Sequence, residues 1–351
     1  MPKSLVLVVG AGVSKEVKLP VGAELRLQIA SALDIRYEDS YNQSSGDSEI
    51  DAAFREIARE RSFGFVDINP FLYASWRIRD AMPQAISIDN FIDSHRANEL
   101  ITICGKLGIA RCILAAEAES SLYVNRRTPY PKIDFAAIDS TWFNNFFQQL
   151  TENCQAADIE ERLSQVAIVT FNYDRCIEHY LYEAIQNYYG ISSELAAEAL
   201  KHLQVFHPYG FVGPLPWQSS SGGIEYGAPI GGRPLIDAAK AIRTFTEGVD
   251  PASSDIDSIR STLRDAKRMA FIGFAFHRLN VSLLFPGLTD GERALERPTF
   301  ATGLGISQAD GQEIASELSG LGAVHISRFH LRHDLTCADL FKEYGRSLSL
   351  S

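Results

Sequence analysis

The stretch Leu5-Val6-Leu7-Val8-Val9-Gly10-Ala11-Gly12-Val13-Ser14 decides how the rest of the chain is read. Five consecutive apolar residues with no polar alternation fit a parallel strand covered on both faces. Glycines at 10 and 12 then let the chain turn sharply from strand to helix and let backbone amides approach a pyrophosphate closely. Helical spacing resumes over residues 23–33. The start, Met1-Pro2-Lys3-Ser4 before an apolar run, has the outline of a signal peptide, but the run is too short and ends in glycine. A buried first strand explains it better.

The same strand-then-loop pattern recurs downstream. Residues 166–170 form a second apolar run that leads into Phe171-Asn172-Tyr173-Asp174 and a helical stretch over 175–189. A helix over 193–203 and a short strand over 204–206 precede His207, and further strands are expected at 268–272, 299–302 and 324–327. Strands alternating with helices predict an α/β fold, a Rossmann-like parallel sheet with helices on both faces, whose ligands sit at the carboxyl ends of the strands. Residues 35–160 read as a mostly helical module inserted between the first two strands. It carries helical spacing over 51–61, 88–95, 98–122 and 141–154, a polar loop over 38–49, and the punctuation Thr128-Pro129-Tyr130-Pro131. Residues 208–234, crowded with Gly, Pro, Ser and aromatics, read as a long ordered loop and a candidate lid. A helix over 335–348 closes the chain, and residues 1–351 fit one domain.

Composition narrows the function. At 46% hydrophobic and 22% charged residues, the chain has the balance of a soluble globular enzyme with a sizeable core. A formal net charge of -11 repels a phosphate backbone, and Arg126-Arg127 with Lys132 is too small a patch to reverse that, so direct nucleic-acid binding is not expected. The five cysteines, Cys104, Cys112, Cys154, Cys176 and Cys337, show no Cys-x-x-Cys spacing. That pattern speaks against a disulfide framework and a tetrathiolate zinc site; no metal is expected, and reduced thiols fit the cytoplasm. No apolar stretch is long enough to cross a membrane.

Four motifs could carry chemistry, and each follows a predicted strand. In Gly10-Ala11-Gly12-Val13-Ser14 the glycines suit a nucleotide-binding turn and Ser14 supplies a hydroxyl, but position 15 is Lys15, so the dinucleotide fingerprint is incomplete and no Walker A loop exists. A ligand-free tight turn is the alternative. In Thr170-Phe171-Asn172-Tyr173-Asp174 the Asn172 amide can hold a water or ribose hydroxyl, or form an Asx turn. Asp174 can orient a ligand or cap the following helix. His207, followed by Pro208-Tyr209-Gly210, suits proton abstraction near neutral pH. Of the eight histidines, only His207 ends a strand and opens a glycine-rich loop; His179 and His202 fall in helical stretches, and His325, His330 and His333 lie near the C-terminus. In Gly273-Phe274-Ala275-Phe276-His277 the rings can stack on a ligand or simply fill the core, and His277 reads as a structural or rim residue. The turn at Thr302-Gly303-Leu304-Gly305 is of the same kind, and one of these two turns is expected at the adenosine half of a dinucleotide.

Taken in order, these motifs, with Ser87-Ile88-Asp89-Asn90-Phe91 in the insert, resemble the sirtuin-like family across nearly the whole chain, from residue 5 to about 307. The resemblance implies NAD bound in an extended cleft. Asn172 would position water and ribose near C1′, and His207 would act as a base on the nicotinamide ribose. Gly10, Ala11, Gly12, Val13, Ser14, Thr170, Phe171, Asp174, Gly273, Phe274 and Gly303 would bind the dinucleotide. Two departures bear on activity: the paired zinc cysteines of the protein deacylases are absent, and Leu19-Pro20-Val21-Gly22-Ala23-Glu24 stands where an acidic-aromatic-arginine run normally follows the first loop. What remains is similar to the bacterial zinc-free sirtuin-like NADases of antiphage defence, in which water is the acceptor. That likeness implies a cytoplasmic homo-oligomer, with a separate ATPase of the HerA type as partner and sensor. The expected products are nicotinamide and ADP-ribose, and alanine at Asn172 or His207 is expected to abolish turnover and leave the fold intact. The alternatives are an NAD-dependent deacylase or ADP-ribosyltransferase, and a non-catalytic NAD or ADP-ribose sensor that regulates a partner.

Overall fold

Val6 and Val8 belong to one hydrophobic cluster and Leu5, Leu7 and Val9 to another, so strand β1 (Leu5–Val9) feeds a separate core from each face. This is the period-two alternation of a strand with both sides covered, and it explains why the run contains no polar residue. The computed structural model describes residues 2–39, 42–61, 66–129, 131–220, 222–249, 255–288 and 293–350. Tyr130 and Ser221, which belong to the proline-rich punctuation and the long loop, lie outside the described residues.

Five more strands complete the sheet: β2 (Val166–Thr170), β3 (Gln204–Phe206), β4 (Met269–Ile272), β5 (Thr299–Thr302) and β6 (Phe329–Arg332). Their order is β3-β2-β1-β4-β5-β6, and every pairing is parallel. The chain builds outward from β1 to one side, crosses back, and builds to the other, which is the Rossmann-like order with its switch point beside β1. Val9 pairs with both Thr170 and Ile272, and Val169 pairs with Phe206. The segments after β1, β2, β3 and β4 therefore emerge at one common edge.

Helices cover both faces. Between β1 and β2 come α1 (Gly12–Lys15), α2 (Gly22–Ala32), α3 (Ser48–Arg61), α4 (Asn69–Ala81), α5 (Ile88–Ser94), α6 (Glu99–Glu119), α7 (Trp142–Thr151) and α8 (Ile159–Ser164). β2 leads into α9 (Cys176–Tyr189) and α10 (Ser193–Leu200), and α11 (Gly232–Ala241) follows the loop after β3. α6 is apolar on most of its surface because it packs against α2, α4, α5 and α11 at once.

Several expectations need correction. Among the described residues of 38–49 the chain is not one open loop: Arg36–Tyr37 and Gln43–Ser45 pair as a small antiparallel ribbon and α3 begins at Ser48, while Ser40 and Tyr41 lie outside the described residues. The last strand is β6, not residues 324–327, which hold a buried Val324 and a short 3-10 turn. β6 is an edge strand with partly exposed side chains, so it carries none of the continuous apolar character that marks the interior strands. His202 falls in the turn after α10. The C-terminal helical stretch is broken into Cys337–Glu343 and Gly345–Leu348, and it packs on the core: Phe341 lies about 6.0 Å from the rings of Trp142 and Phe146.

The glycines after β1 are required by the fold itself. A Cβ at Gly10 would lie 2.5 Å from the Gly273 carbonyl oxygen and 2.8 Å from the Phe274 Cα, and one at Gly12 would lie 2.7 Å from the Gly273 Cα. Both clashes are with main chain, so no side chain can swing away. Gly10→Ala is expected to cost about 1–3 kcal/mol through overpacking, read from the urea midpoint; a change below about 0.5 kcal/mol would contradict this contact.

Candidate active site

Three strand ends bring their polar side chains together. Asn172, just after β2, donates from Nδ2 to Ser14 Oγ after β1 at 3.0 Å, and Ser14 Oγ donates to Asp174 Oδ2 at 2.8 Å. After β3, the His207 imidazole places Nδ1 3.2 Å from the main-chain carbonyl oxygen of Asn172. Ser14 and Asn172 are 158 residues apart in the chain, and parallel pairing alone makes them neighbours. Ser14, Asn172 and Asp174 are 2%, 6% and 6% exposed, so the cluster is closed to bulk solvent in this structure.

The local roles are now explicit. Thr170 Oγ1 accepts the Asn172 N–H at 3.2 Å, which fixes the exit from β2. Asp174 serves the start of the helix, since its Oδ1 accepts the Cys176 N–H that opens α9 at 3.1 Å, while its Oδ2 takes the Ser14 hydroxyl. Burial holds the Asp174 carboxyl above the usual carboxylate range, against the pull of its hydrogen bonds to Cys176 and Ser14. Asp89 of α5 accepts a hydrogen bond from the Tyr173 hydroxyl, which ties the helical region between β1 and β2 to the segment carrying Asn172.

The most informative residue here was not singled out by the sequence. Glu178, in the first turn of α9, accepts from His207 Nε2 at 2.7 Å, and the two side chains are 6% and 7% exposed. Burial alone would push the His207 imidazole down, but the charge and hydrogen bond of Glu178, with the Asn172 carbonyl, hold it above its ordinary value. A cavity of about 260 Å³ flanks β3 and is lined by Glu178, His207, Leu181, Leu200, Phe211 and Trp217. A larger cavity of about 570 Å³ lies against the last turns of α7 and α9, and none of the sequence-predicted site residues lines it.

Other predicted residues have mainly structural duties. In the turn after β1, Gly10 N–H bonds to Ile272, Gly12 N–H to Gly273, Val13 N–H to Gly10 and Ser14 N–H to Ala11. Only the Ala11 amide of that turn is left over, so the glycines serve the contact with Gly273 and do not form a multi-amide phosphate cradle. Val13 is buried in the core. Phe171 lies 5.3 Å from both Tyr209 and Phe274, and Phe274 also contacts Phe271 and Phe276, so these rings pack on one another. Gly303 donates to the Arg332 carbonyl at 2.7 Å, and a Cβ there would meet Leu331 at 2.9 Å. It sits two strands away from β1. His277 is exposed at the start of the helix Arg278–Leu284. His179 is buried, bonds through Nε2 to the Leu122 carbonyl at 2.9 Å and stacks on Tyr226; burial pushes its imidazole down to about 3.

The described residues of the 208–234 segment are held at several points. Arg175 and Glu117 form a fully buried ion pair, and the same guanidinium donates to the carbonyls of Gly213, Ile224 and Glu225. Tyr226 bonds to Ser120 and Cys176, and Gly210 pairs with Ile242. Residues 232–234 are the first turn of α11. These contacts make the described part of the loop a wall packed on α6 and α9.

Among the described residues no helix is long and apolar enough to cross a membrane, and no group of three metal-binding side chains occurs. Neither a protein-family model nor a curated protein matches this chain. The fold and site together define an α/β protein with a parallel Rossmann-like sheet and a buried polar cluster at its carboxyl edge.

Proposed function

We propose that this protein is an NAD glycohydrolase that cleaves the nicotinamide–ribose bond. One observation carries the reading: residues 172 and 207, 35 apart, come together at the carboxyl edge of the sheet, where the His207 imidazole meets the main-chain carbonyl of Asn172 and the Asn172 side-chain amide joins Ser14 and Asp174 in a hydrogen-bonded cluster. NAD is the substrate, with its nicotinamide ribose beside Asn172 and His207 and the Ala11 amide available to its phosphates. The glycosidic electron pair leaves with nicotinamide, and the ribosyl cation that remains resembles the intermediate of other glycoside cleavages. Asn172 holds the water that attacks C1′, and His207 accepts its proton, giving ADP-ribose. Such proton transfer contributes about 10²–10⁴-fold, and positioning in a water-poor site supplies the rest.

The resemblance to sirtuin-like NADases is what supports NAD depletion in antiphage defence, a homo-oligomeric state, a cytoplasmic setting and a HerA-type ATPase partner. Burial of Ser14, Asn172 and Asp174 means that an NAD glycohydrolase must open this edge to admit its substrate, and a non-catalytic NAD or ADP-ribose sensor would have to do the same. The test is a time course of NAD, nicotinamide and ADP-ribose with purified protein and no protein acceptor, run alone and with the products of neighbouring genes. Equal release of nicotinamide and ADP-ribose is expected. A requirement for an acylated or acceptor protein would replace this reading by the deacylase or ADP-ribosyltransferase, and binding without turnover in every arm would replace it by the sensor.

A further inference from the structure

We infer that Glu178 is a positioning residue for His207: its carboxylate holds the Nε2 side of the ring, which fixes the orientation of the imidazole and leaves Nδ1 as the nitrogen that exchanges a proton. The inference rests on the glycohydrolase reading for its catalytic meaning, but its geometry stands on its own.

The imidazole lies between two oxygen acceptors, the Glu178 carboxylate at 2.7 Å from Nε2 and the Asn172 carbonyl at 3.2 Å from Nδ1. A ring that donates from both nitrogens satisfies both contacts, and the neighbouring carboxylate favours that charged form. When the ring loses a proton, the charged partner keeps its hydrogen, because an N–H···carboxylate bond is the stronger of the two. The lone pair then appears on Nδ1, which faces the Asn172 main-chain carbonyl in this structure, so the ring has to turn from that oxygen, pivoting on the Glu178 contact, before it takes a proton from water. A carboxylate that retains one imidazole hydrogen and leaves the other nitrogen basic is the arrangement by which catalytic histidines are held in one tautomer. Without Glu178, either nitrogen could carry the proton.

The surroundings show why this contact is specific. The charged groups that face the ring are Glu178 from α9, Asp174 from the segment after β2, and Lys201 at the end of α10, which lines the adjoining cavity. Lys201 is turned to Glu198 and is mostly exposed, so it does not compete for the carboxylate. The Phe211 ring packs on the imidazole at 4.5 Å and closes a further side. Glu178 Oε2 is buried and has no hydrogen-bond partner, so the carboxylate's commitment is to His207 through Oε1.

Glu178→Gln keeps the shape and removes the charge, and Glu178→Asp keeps the charge and shortens the reach. Two readouts separate this inference from the reaction itself. In the first, the His207 ring is titrated by NMR in the full chain without NAD. The wild-type ring is expected to titrate above the ordinary 6.5, and the Gln variant at or below it, since burial then acts without a compensating charge. In the second, turnover is followed against pH. Activity should rise as the ring is deprotonated, with an acid limb that moves to lower pH in Glu178→Gln and a plateau kcat about 10²–10⁴-fold lower at little changed KM. Partial recovery in Glu178→Asp supports the role, and it also shows that the site still folds. An unchanged His207 titration in Glu178→Gln overturns the inference whatever the protein does to NAD. A shifted titration in a protein that never consumes NAD leaves the pair intact and overturns the glycohydrolase reading instead.

Discussion

Arg175→Met is expected to lower the stability of the fold by about 3–5 kcal/mol, because it strands the Glu117 carboxylate in the interior. Arg175 and Glu117 are both fully buried, and their side chains also hold the Gly227 N–H and three carbonyls of the long loop. The loss is therefore larger than for a surface pair, where about 0–1 kcal/mol is usual. The effect is read from urea unfolding at constant m-value, with faster proteolysis within residues 213–227 as a local signature. Arg175→Met combined with Glu117→Leu should recover much of the loss, since two apolar groups replace the pair without leaving a bare charge. A single variant within about 1 kcal/mol of the wild type would show that water or a proton compensates Glu117, and would contradict this account of the wall.

Asn172→Ala and His207→Asn are each expected to reduce nicotinamide release by about 10²–10⁴-fold with little change in NAD affinity. The choice at 207 matters. Alanine there would leave the buried Glu178 carboxylate unpaired, so the expectation that alanine leaves the fold intact does not hold for His207. Asparagine retains a donor toward the carboxylate and removes the titrating ring. At Asn172 alanine removes one hydrogen bond to Ser14 Oγ, which still donates to Asp174, so the cost in stability is about 0.5–1.5 kcal/mol. Loss of turnover in soluble, cooperatively unfolding variants is thus separable from unfolding.

How much of this was legible depended on how local each signal is. β1, β2 and β4 announced themselves because a strand covered on both faces must be apolar throughout. β6 did not, because half of an edge strand's surface is solvated and its composition is mixed. The order of the motifs placed Ser14, Asn172 and His207 at one edge correctly, since the C-terminal ends of parallel strands coincide. The glycine turn carried two meanings that sequence does not separate: close approach to another backbone and close approach to a phosphate impose the same residue, and Gly273 is one backbone that the turn meets. Glu178 looked like an ordinary acid in a first helical turn, favourable there through the helix dipole alone. Two signals of the buried pair stood in the sequence unread. Glu117 interrupts the apolar run Ile113-Leu114-Ala115-Ala116, and Arg175 puts a cation at a helix N-terminus, where the dipole disfavours it.

The central claim is that Asn172 and His207 serve one reacting carbon. It is tested most directly by single-turnover nicotinamide release in Asn172→Ala, His207→Asn and the double variant, under conditions in which the wild type is active. Residues that act as a unit lose their effect together, so the double variant should be about as slow as the slower single one. Losses that multiply, or a single variant that turns over NAD at the wild-type rate, would contradict the shared site.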